Sequence, residues 1–107
     1  MVTIDDFKKL DLRVGKVLKA EPIEKANSLY KLTVDAGEKQ MQIVSGIKKD
    51  YQPEELVGKQ IIVVANLEPA KFRGVESQGM LLAAIDDEGK ISILTPDKET
   101  KVGSKIS

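Results

Sequence analysis

Apolar residues alternate with polar ones along much of this chain, which is the two-residue period of β-strands that bury one face. The alternation is strict over residues 30–34 and returns over residues 41–43. Residues 36–39 lie between the two runs and contain Gly37, which suits a tight turn. The pattern therefore predicts a hairpin of two strands in the first half of the chain.

Three further runs predict the remaining strands. The run from Leu12 is apolar at near-alternate positions and is interrupted by Gly15, which predicts a long first strand with a bend. Residues 59–65 contain a continuous run of mostly branched apolar residues, as expected for a central strand covered on both faces. The apolar runs GMLLAAI and KISIL flank residues 86–89, whose acidic residues and glycine predict a hairpin turn rather than a calcium loop.

Two short helices complete the predicted elements. Thr3 followed by two acidic residues after Ile4 resembles a helix N-terminus, so residues 3–10 are predicted to form a short helix. Pro53 suits the first turn of a second helix, which ends at Gly58. Five strands with a helix between the third and fourth indicate an all-β fold, a five-stranded OB-fold Greek-key barrel with short flanking helices and a C-terminal extension. A small β-sandwich is the alternative, and the length indicates a single domain over residues 1–107.

The residue composition excludes several classes of function. The chain has no cysteine and no histidine, which removes disulfides, thiolate nucleophiles, soft-metal sites and the commonest general base. It also lacks a glycine-rich phosphate loop, a nucleophile elbow and a dinucleotide fingerprint. We therefore expect a protein that is not an enzyme, with no cofactor and no metal. The chain has no run apolar enough for a membrane helix and no signal-peptide pattern, so we expect a cytoplasmic location and no membrane partner.

Charge restricts any nucleic-acid site to a local patch. Lysine and arginine together number 17, as do aspartate and glutamate, so no net field attracts nucleic acid from a distance. One candidate patch is a set of lysines on strand and loop positions that a barrel can bring to one side: Lys31, Lys39, Lys48, Lys49 and Lys59. The alternative is that these side chains only solvate the outer surface.

The most unusual segment is ANLEPAKFRGVESQGM, residues 65–80, a polar stretch between two apolar strands. Lys71 and Arg73 flank Phe72, a combination that offers phosphates two cations and a base one aromatic face. Ser77 and Met80 near its end could hydrogen-bond to RNA and pack against it. The alternatives are a solvated loop with Phe72 in the core, and Met80 as a core residue.

Four segments of the chain resemble one known family. They are DLRVGKV at 11–17, LYKLTVDAGEKQMQIVSGI at 29–47, YQPEELVGK at 51–59 and VVANLEPAKFRGVESQGMLLAA at 63–84. Together they resemble the tRNA-binding domain of methionyl-tRNA synthetase. In that family the domain occurs as a C-terminal domain or beta subunit of the synthetase, as free-standing structure-specific tRNA-binding proteins, and in a chaperone-like branch.

The resemblance implies an OB-fold that dimerises and binds tRNA by its shape, without catalysing aminoacylation. It further implies tRNA-binding roles for Asn66, Lys71, Arg73, Ser77 and Met80. The family often carries a lysine where this chain has Ser28, so Lys31 or Lys25 is expected to take over that phosphate contact. Family dimers pack through segments outside the barrel, which implies interface roles for Ile4, Phe7, Val102 and Ile106; the alternative is that these side chains only cap their own barrel.

Three functions remain open from the sequence. The first is a module that strengthens tRNA binding by methionyl-tRNA synthetase, either fused to its catalytic chain or assembled with it. The second is a free-standing tRNA-binding or chaperone-like protein. The third is an OB-fold protein-interaction domain whose barrel face holds a polypeptide.

Overall fold

The computed structural model describes all 107 residues. The main sheet has five antiparallel strands and curls into a nearly closed barrel. The strands, numbered along the chain, are β1 (Leu12–Pro22), β2 (Tyr30–Asp35), β3 (Gln40–Ser45), β4 (Gln60–Val64), β5 (Ala70–Phe72), β6 (Val75–Ser77), β7 (Met80–Leu81), β8 (Ala83–Ile85) and β9 (Ile91–Ile93). The sheet order is β3-β2-β1-β4-β7, and β5–β6 and β8–β9 form two separate hairpins. The predicted all-β OB-type fold is confirmed.

Strand β1 is long and bent, as predicted, but the bend does not lie at Gly15. The pairing register of β1 with β2 shifts between Val17 and Lys19, which leaves Leu18 as an extra residue in β1. Gly15 instead faces the core, where an added Cβ would approach Cγ1 of Val34 to 2.7 Å. The glycine therefore makes room for core side chains, and the bulge after it curves the strand.

The barrel interior is filled by aliphatic side chains from alternate strand positions, which is the burial that the sequence pattern predicts. On β4, all of Ile61, Ile62, Val63 and Val64 are buried, as predicted for a central strand. The main core cluster is Val17, Tyr30, Leu32, Val34, Ala36, Met41, Ile43, Ile47, Leu56, Ile61, Val63, Leu81 and Ile93.

Both helices are single turns: α1 (Ile4–Phe7) and α2 (Pro53–Leu56). Helix α1 has the predicted N-cap at Thr3 but is shorter than residues 3–10, since the chain continues as a turn after Phe7. Neither helix is long and apolar enough to cross a membrane.

The C-terminal extension lies along the first half of β1. The N–H of Val14 donates to the carbonyl of Ser104 at 2.9 Å, and the N–H of Ile106 donates to the carbonyl of Leu12 at 2.9 Å. Gly103 returns a bond to the carbonyl of Val14 at 2.8 Å. The extension thus pairs the β1 edge that β2 leaves uncovered, which satisfies backbone groups that would otherwise be open.

Candidate nucleic-acid interface

The segment at 65–80 contains a hairpin, where the sequence predicts a polar loop between two strands. Strands β5 and β6 pair in register and are joined by Arg73 and Gly74, whose φ angles are 52° and 80°. Positive φ at both central residues is the signature of a type I′ turn, which matches the twist of the flanking strands. Each strand has only three residues and little alternation, so the sequence pattern did not reveal them.

The tip of this hairpin presents cations and an aromatic ring to solvent. Lys71, Phe72, Arg73 and Gly74 are all exposed. The Phe72 side chain is 44% exposed and Met80 is 48% exposed, so neither is a core residue. The alternatives that placed Phe72 and Met80 in the core are therefore wrong.

Ser77 is buried, in contrast to its neighbours at the hairpin tip. Its hydroxyl accepts a hydrogen bond from the N–H of Val44 at 2.9 Å and donates one to the carbonyl of Gly79 at 2.9 Å. Both hydrogen-bonding functions of Ser77 are thus used within the chain. A tRNA contact through this hydroxyl stays a prediction, and the geometry gives Ser77 a positioning role between β3 and β7.

Glutamine side chains add to this junction. The N–H of Gln42 donates to Oε1 of Gln78 at 2.8 Å, while the N–H of Gln78 donates to the carbonyl of Gln42 at 2.7 Å. Nε2 of Gln42 also donates to the carbonyl of Glu76 at 2.7 Å. These bonds join the edge of β3 to the segment after β6, so they close the barrel and hold the β5–β6 hairpin in place.

Asn66 holds the start of the same segment against the N-terminus. Its Oδ1 accepts from the N–H of Asp11 at 2.8 Å, and its Nδ2 donates to the carbonyl of Lys9 at 2.8 Å. The side chain is exposed, yet its amide is occupied at both ends. As for Ser77, a tRNA contact through Asn66 stays a prediction.

Lys31 and Arg73 are brought together, whereas Lys39 lies away from them. Both line one cleft beside the β5–β6 turn, and Lys25 lines it too. Lys39 lies in the turn of the β2–β3 hairpin, at the opposite end from Lys31, which is roughly 15 Å away at the rise of a strand. Lys39 is therefore not part of the cleft that Lys31 and Arg73 line.

Three of the four predicted interface residues lie together. Ile4, Phe7 and Ile106 line a shallow groove of about 210 Å³ with Leu10. Ile4 is 66% exposed although it is apolar, and Leu10 is 42% exposed. Val102 lines other clefts, beside Gly37 and beside Gln60.

Residues 12–105 match the family described as "Putative tRNA binding domain". The chain belongs to this tRNA-binding domain family. It is 56% identical over 105 residues to methionine–tRNA ligase from Archaeoglobus fulgidus, which covers 98% of this chain and 16% of the ligase. The resemblance to the tRNA-binding domain of methionyl-tRNA synthetase is thereby confirmed, and this chain spans only a small part of that relative's length.

Solved structures of the same fold include two that match from end to end. A protein from Pyrococcus horikoshii described as related to methionyl-tRNA synthetase has a TM-score of 0.94 and 44% identity, with 100% of this chain and 98% of that chain covered. The chaperone CsaA from Bacillus anthracis has a TM-score of 0.92 and 36% identity, with 100% and 99% covered. The fold of this tRNA-binding domain is thus shared by relatives with different descriptions.

Proposed function

We propose that this domain is a non-catalytic, cytoplasmic module that binds tRNA by shape as a dimer and strengthens tRNA binding by methionyl-tRNA synthetase. The observation that carries the proposal is the β5–β6 hairpin, which exposes Lys71, Phe72 and Arg73 at its tip. Cations bind the phosphate backbone and an aromatic face stacks on bases. Because the chain belongs to the tRNA-binding domain family, we propose that the bound RNA is tRNA.

Barrel closure supports this assignment because it fixes where the β5–β6 hairpin leaves the barrel. Ser77, Gln78 and Asn66 attach both ends of segment 65–80 to β3 and to the N-terminal turn. Phosphate contacts held at fixed separations can recognise the shape of a folded RNA without reading its bases. Met80 lies next to the attachment point and offers an apolar contact.

The dimer is proposed from the apolar groove of Ile4, Phe7 and Ile106. A single hairpin tip on a chain of zero net charge provides few phosphate contacts. Two tips on one assembly bind a large RNA with an affinity that neither achieves alone. The exposed Ile4 side chain would be removed from water in such a dimer.

The tRNA proposal is tested by titrating the protein with unfractionated tRNA and with single-stranded RNA of equal length, at two salt concentrations. We expect tighter, salt-sensitive binding of tRNA. Lys71→Gln should weaken it and flatten its salt dependence by about 0.7–0.9 in the log–log slope. Lys90→Gln, an exposed lysine beside the β8–β9 turn, is the matched control. Equal binding of both RNAs would contradict recognition by shape.

The dimer proposal is tested by sedimentation of Ile4→Asp. Aspartate keeps the acidic first turn of α1 but places a charge in the groove, so we expect a shift from dimer to monomer. Ile85 is almost equally exposed, at 68% against 66% for Ile4, and Ile85→Asp should leave the dimer intact. A monomeric wild type at micromolar concentration would refute the dimer.

The contribution to the synthetase is tested separately. The Kd of a methionyl-tRNA synthetase catalytic chain for tRNA is measured alone, with this domain added, and with the domain fused to it. A lower Kd with the domain supports the proposal. An unchanged Kd in both formats would favour a free-standing tRNA-binding protein.

A second candidate, polypeptide binding, is favoured by the end-to-end similarity to the chaperone CsaA. An apolar peptide site differs from a phosphate site in its response to salt, since only phosphate binding weakens linearly in log terms as salt rises. Binding of an unfolded polypeptide that persists at high salt, with no tRNA binding at low salt, would establish this candidate instead.

A further inference from the structure

Beside the β5–β6 turn lies a cleft of about 410 Å³ that opens between this turn and the loop after β1. Its charged side chains come from three separate parts of the chain. The charged residues that line it are Glu21, Glu24, Lys25, Lys31 and Arg73, and Val75 lies beside them.

Two of the cations in this cleft are held by unusual backbone. Lys25 has a φ of 65° and Arg73 a φ of 52°, and they are the only residues other than glycine with positive φ. The N–H of Ala26 donates to the carbonyl of Ile23 at 3.2 Å, so Lys25 sits at the third position of a turn where positive φ favours glycine or asparagine. Arg73 takes the first central position of a type I′ turn, where the same residues are favoured. At both left-handed positions the chain therefore carries a long cationic side chain where glycine or asparagine would be less strained.

Only one of the three cations in the cleft forms an ion pair. Lys31 forms an ion pair with Glu21 at 3.9 Å, whereas Lys25 and Arg73 have no carboxylate within ion-pairing distance. Three cations face two carboxylates, so the cleft carries a net positive charge in a domain that is neutral overall. Two unpaired cations that converge on one concave surface suit an anion with several oxygens.

An aromatic surface adjoins the cleft. Phe72 precedes Arg73 in the turn and pairs across the hairpin with Val75, which lines the cleft. The Phe72 ring is exposed enough to take a stacked base next to a phosphate held by Arg73. A base within a continuous double helix offers no free face, so this arrangement suits an unpaired nucleotide.

On the basis of the proposed tRNA binding, we propose that this cleft binds one RNA phosphate through Lys25, Lys31 and Arg73, and that Phe72 stacks on the base of an adjacent unpaired nucleotide. The site adds a base-stacking contact to recognition by shape. It also assigns the chain's two strained cations a common ligand.

Stacking is tested with Phe72→Trp, because the chain has no tryptophan and the new ring reports alone. We expect its fluorescence to be quenched by tRNA with the affinity of the wild type. Ile85→Trp, on the exposed β8–β9 hairpin, should not respond. Phe72→Leu keeps an apolar side chain without the ring and should weaken tRNA binding about tenfold.

The phosphate contact is tested with Arg73→Asn and Lys25→Asn, which suit positive φ and remove the charge. Because the cations share one phosphate, each variant should lower the slope of log affinity against log salt by less than the roughly 0.7–0.9 of one full phosphate contact, and the two combined should lower it by more than either alone. Thermal unfolding should show an intact fold for both variants. Lys98→Asn, in the exposed C-terminal segment, is the control for general charge loss.

The outcomes separate this inference from the proposed function. Wild-type tRNA binding that neither Phe72→Leu nor the two asparagine variants alter would overturn the cleft and leave the tRNA-binding function standing. A wild type that binds no tRNA would overturn both. Quenching of Phe72→Trp by tRNA but not by an RNA duplex without unpaired nucleotides would support the stacked base.

Discussion

Gly79 occupies a position at which the fold leaves no room for a side chain. It is buried, and an added Cβ would lie 2.6 Å from the carbonyl oxygen of Val64 and 2.6 Å from Cε of Met41. The methionine could move, but the carbonyl belongs to the central strand β4. Gly79 thus lets the chain pass close to β4 between Ser77 and the exposed Met80.

We expect Gly79→Ala to lower the free energy of unfolding by about 1–3 kcal/mol, because the new methyl group collides with backbone. Gly46→Ala is the matched control, since the nearest atoms to its Cβ would be 3.9 Å away. Chemical denaturation measures both variants. A loss no greater for Gly79→Ala than for Gly46→Ala would mean that the strand shifts freely.

The element that determines the site is the β5–β6 hairpin, and its position depends on β3. A hydrogen bond from Val44 to Ser77 links residues 33 positions apart in the chain. The Gln42 and Gln78 bonds continue the link along the same edge. The hairpin is therefore held mainly by side chains that substitute for a regular strand ladder.

Ser77→Ala should destabilise the fold by about 1–3 kcal/mol, because the N–H of Val44 loses its acceptor. Hydrogen exchange should become faster at the Val44 amide, while Ser92→Ala, at an exposed position of β9, changes neither quantity. Weaker tRNA binding is expected to accompany the loss of stability. Weaker binding with full stability and unchanged exchange would instead support a direct contact between Ser77 and tRNA.

Helix α1 is a second element whose stability rests on local bonds, and these depend on pH. The backbone N–H of Thr3 donates to the Asp6 carboxylate at 3.2 Å, and this bond, with those from the Thr3 hydroxyl and Lys9, lowers the pKa of Asp6 below its ordinary value of 3.8. A lowered pKa in the folded state means that the charged carboxylate stabilises the helix above pH 3.8. That contribution is lost as the pH falls through the folded-state pKa.

We expect the carboxyl carbon of Asp6 to titrate in NMR below pH 3.8, with fraying of α1 in the same range. Thr3→Val removes the hydroxyl and should move the midpoint upward. Asp6→Asn should remove the part of the pH dependence of the α1 amide signals that the Asp6 carboxylate causes. A midpoint that Thr3→Val leaves in place would show that the Thr3 hydroxyl does not hold the carboxylate.

Across the whole molecule, the C-terminal extension connects parts of the barrel that are distant in the chain. Gly103 lies against Gly37 in the β2–β3 turn, and an added Cβ at Gly103 would be 2.9 Å from the Gly37 Cα. Arg13 reinforces the contact by donating to the Gly103 carbonyl at 3.2 Å. The extension is thus part of the barrel wall, and it leads to Ile106 in the proposed dimer groove.

Comparing Gly103→Ala with Gly89→Ala separates the cost of a collision with a neighbouring residue from the cost of a left-handed backbone. Both glycines have positive φ, at 89° and 82°, but a Cβ at Gly89 would meet nothing within 4 Å. We expect Gly89→Ala to cost about 1 kcal/mol from the left-handed backbone, and Gly103→Ala about 1–3 kcal/mol more from the collision. Equal losses in thermal unfolding would show that the extension does not depend on the glycine contact.

The strand pattern was readable from the sequence because burial of one face imposes a two-residue period wherever strands are long. It predicted β2, β3 and β4, the turn at residues 36–39 and the β8–β9 turn. The β5–β6 hairpin was missed because strands of three residues, largely exposed, show no period. Helix α1 is shorter than predicted because its capping box stabilises only one turn. None of its residues is buried, so no packing extends the helix further.

Local chemistry singled out Lys71, Phe72, Arg73 and Met80 as candidates, because they lie in a polar, turn-rich segment. Whether Phe72 and Met80 lie at the surface or in the core stayed open from the sequence, and the structure shows both exposed. Resemblance over four segments identified the family, which the match over residues 12–105 confirms.

The tertiary structure was needed for everything that depends on contacts between distant residues. It assigns the hydroxyl of Ser77 and the amide of Asn66 to partners 33 and 55 positions away. It also separates Lys31 from Lys39 and brings Lys31 and Lys25 beside Arg73. Periodicity and residue type indicate which face of a strand is buried. The closure of the barrel decides which side chains line the same cleft, and which ones form hydrogen bonds that stabilise the barrel.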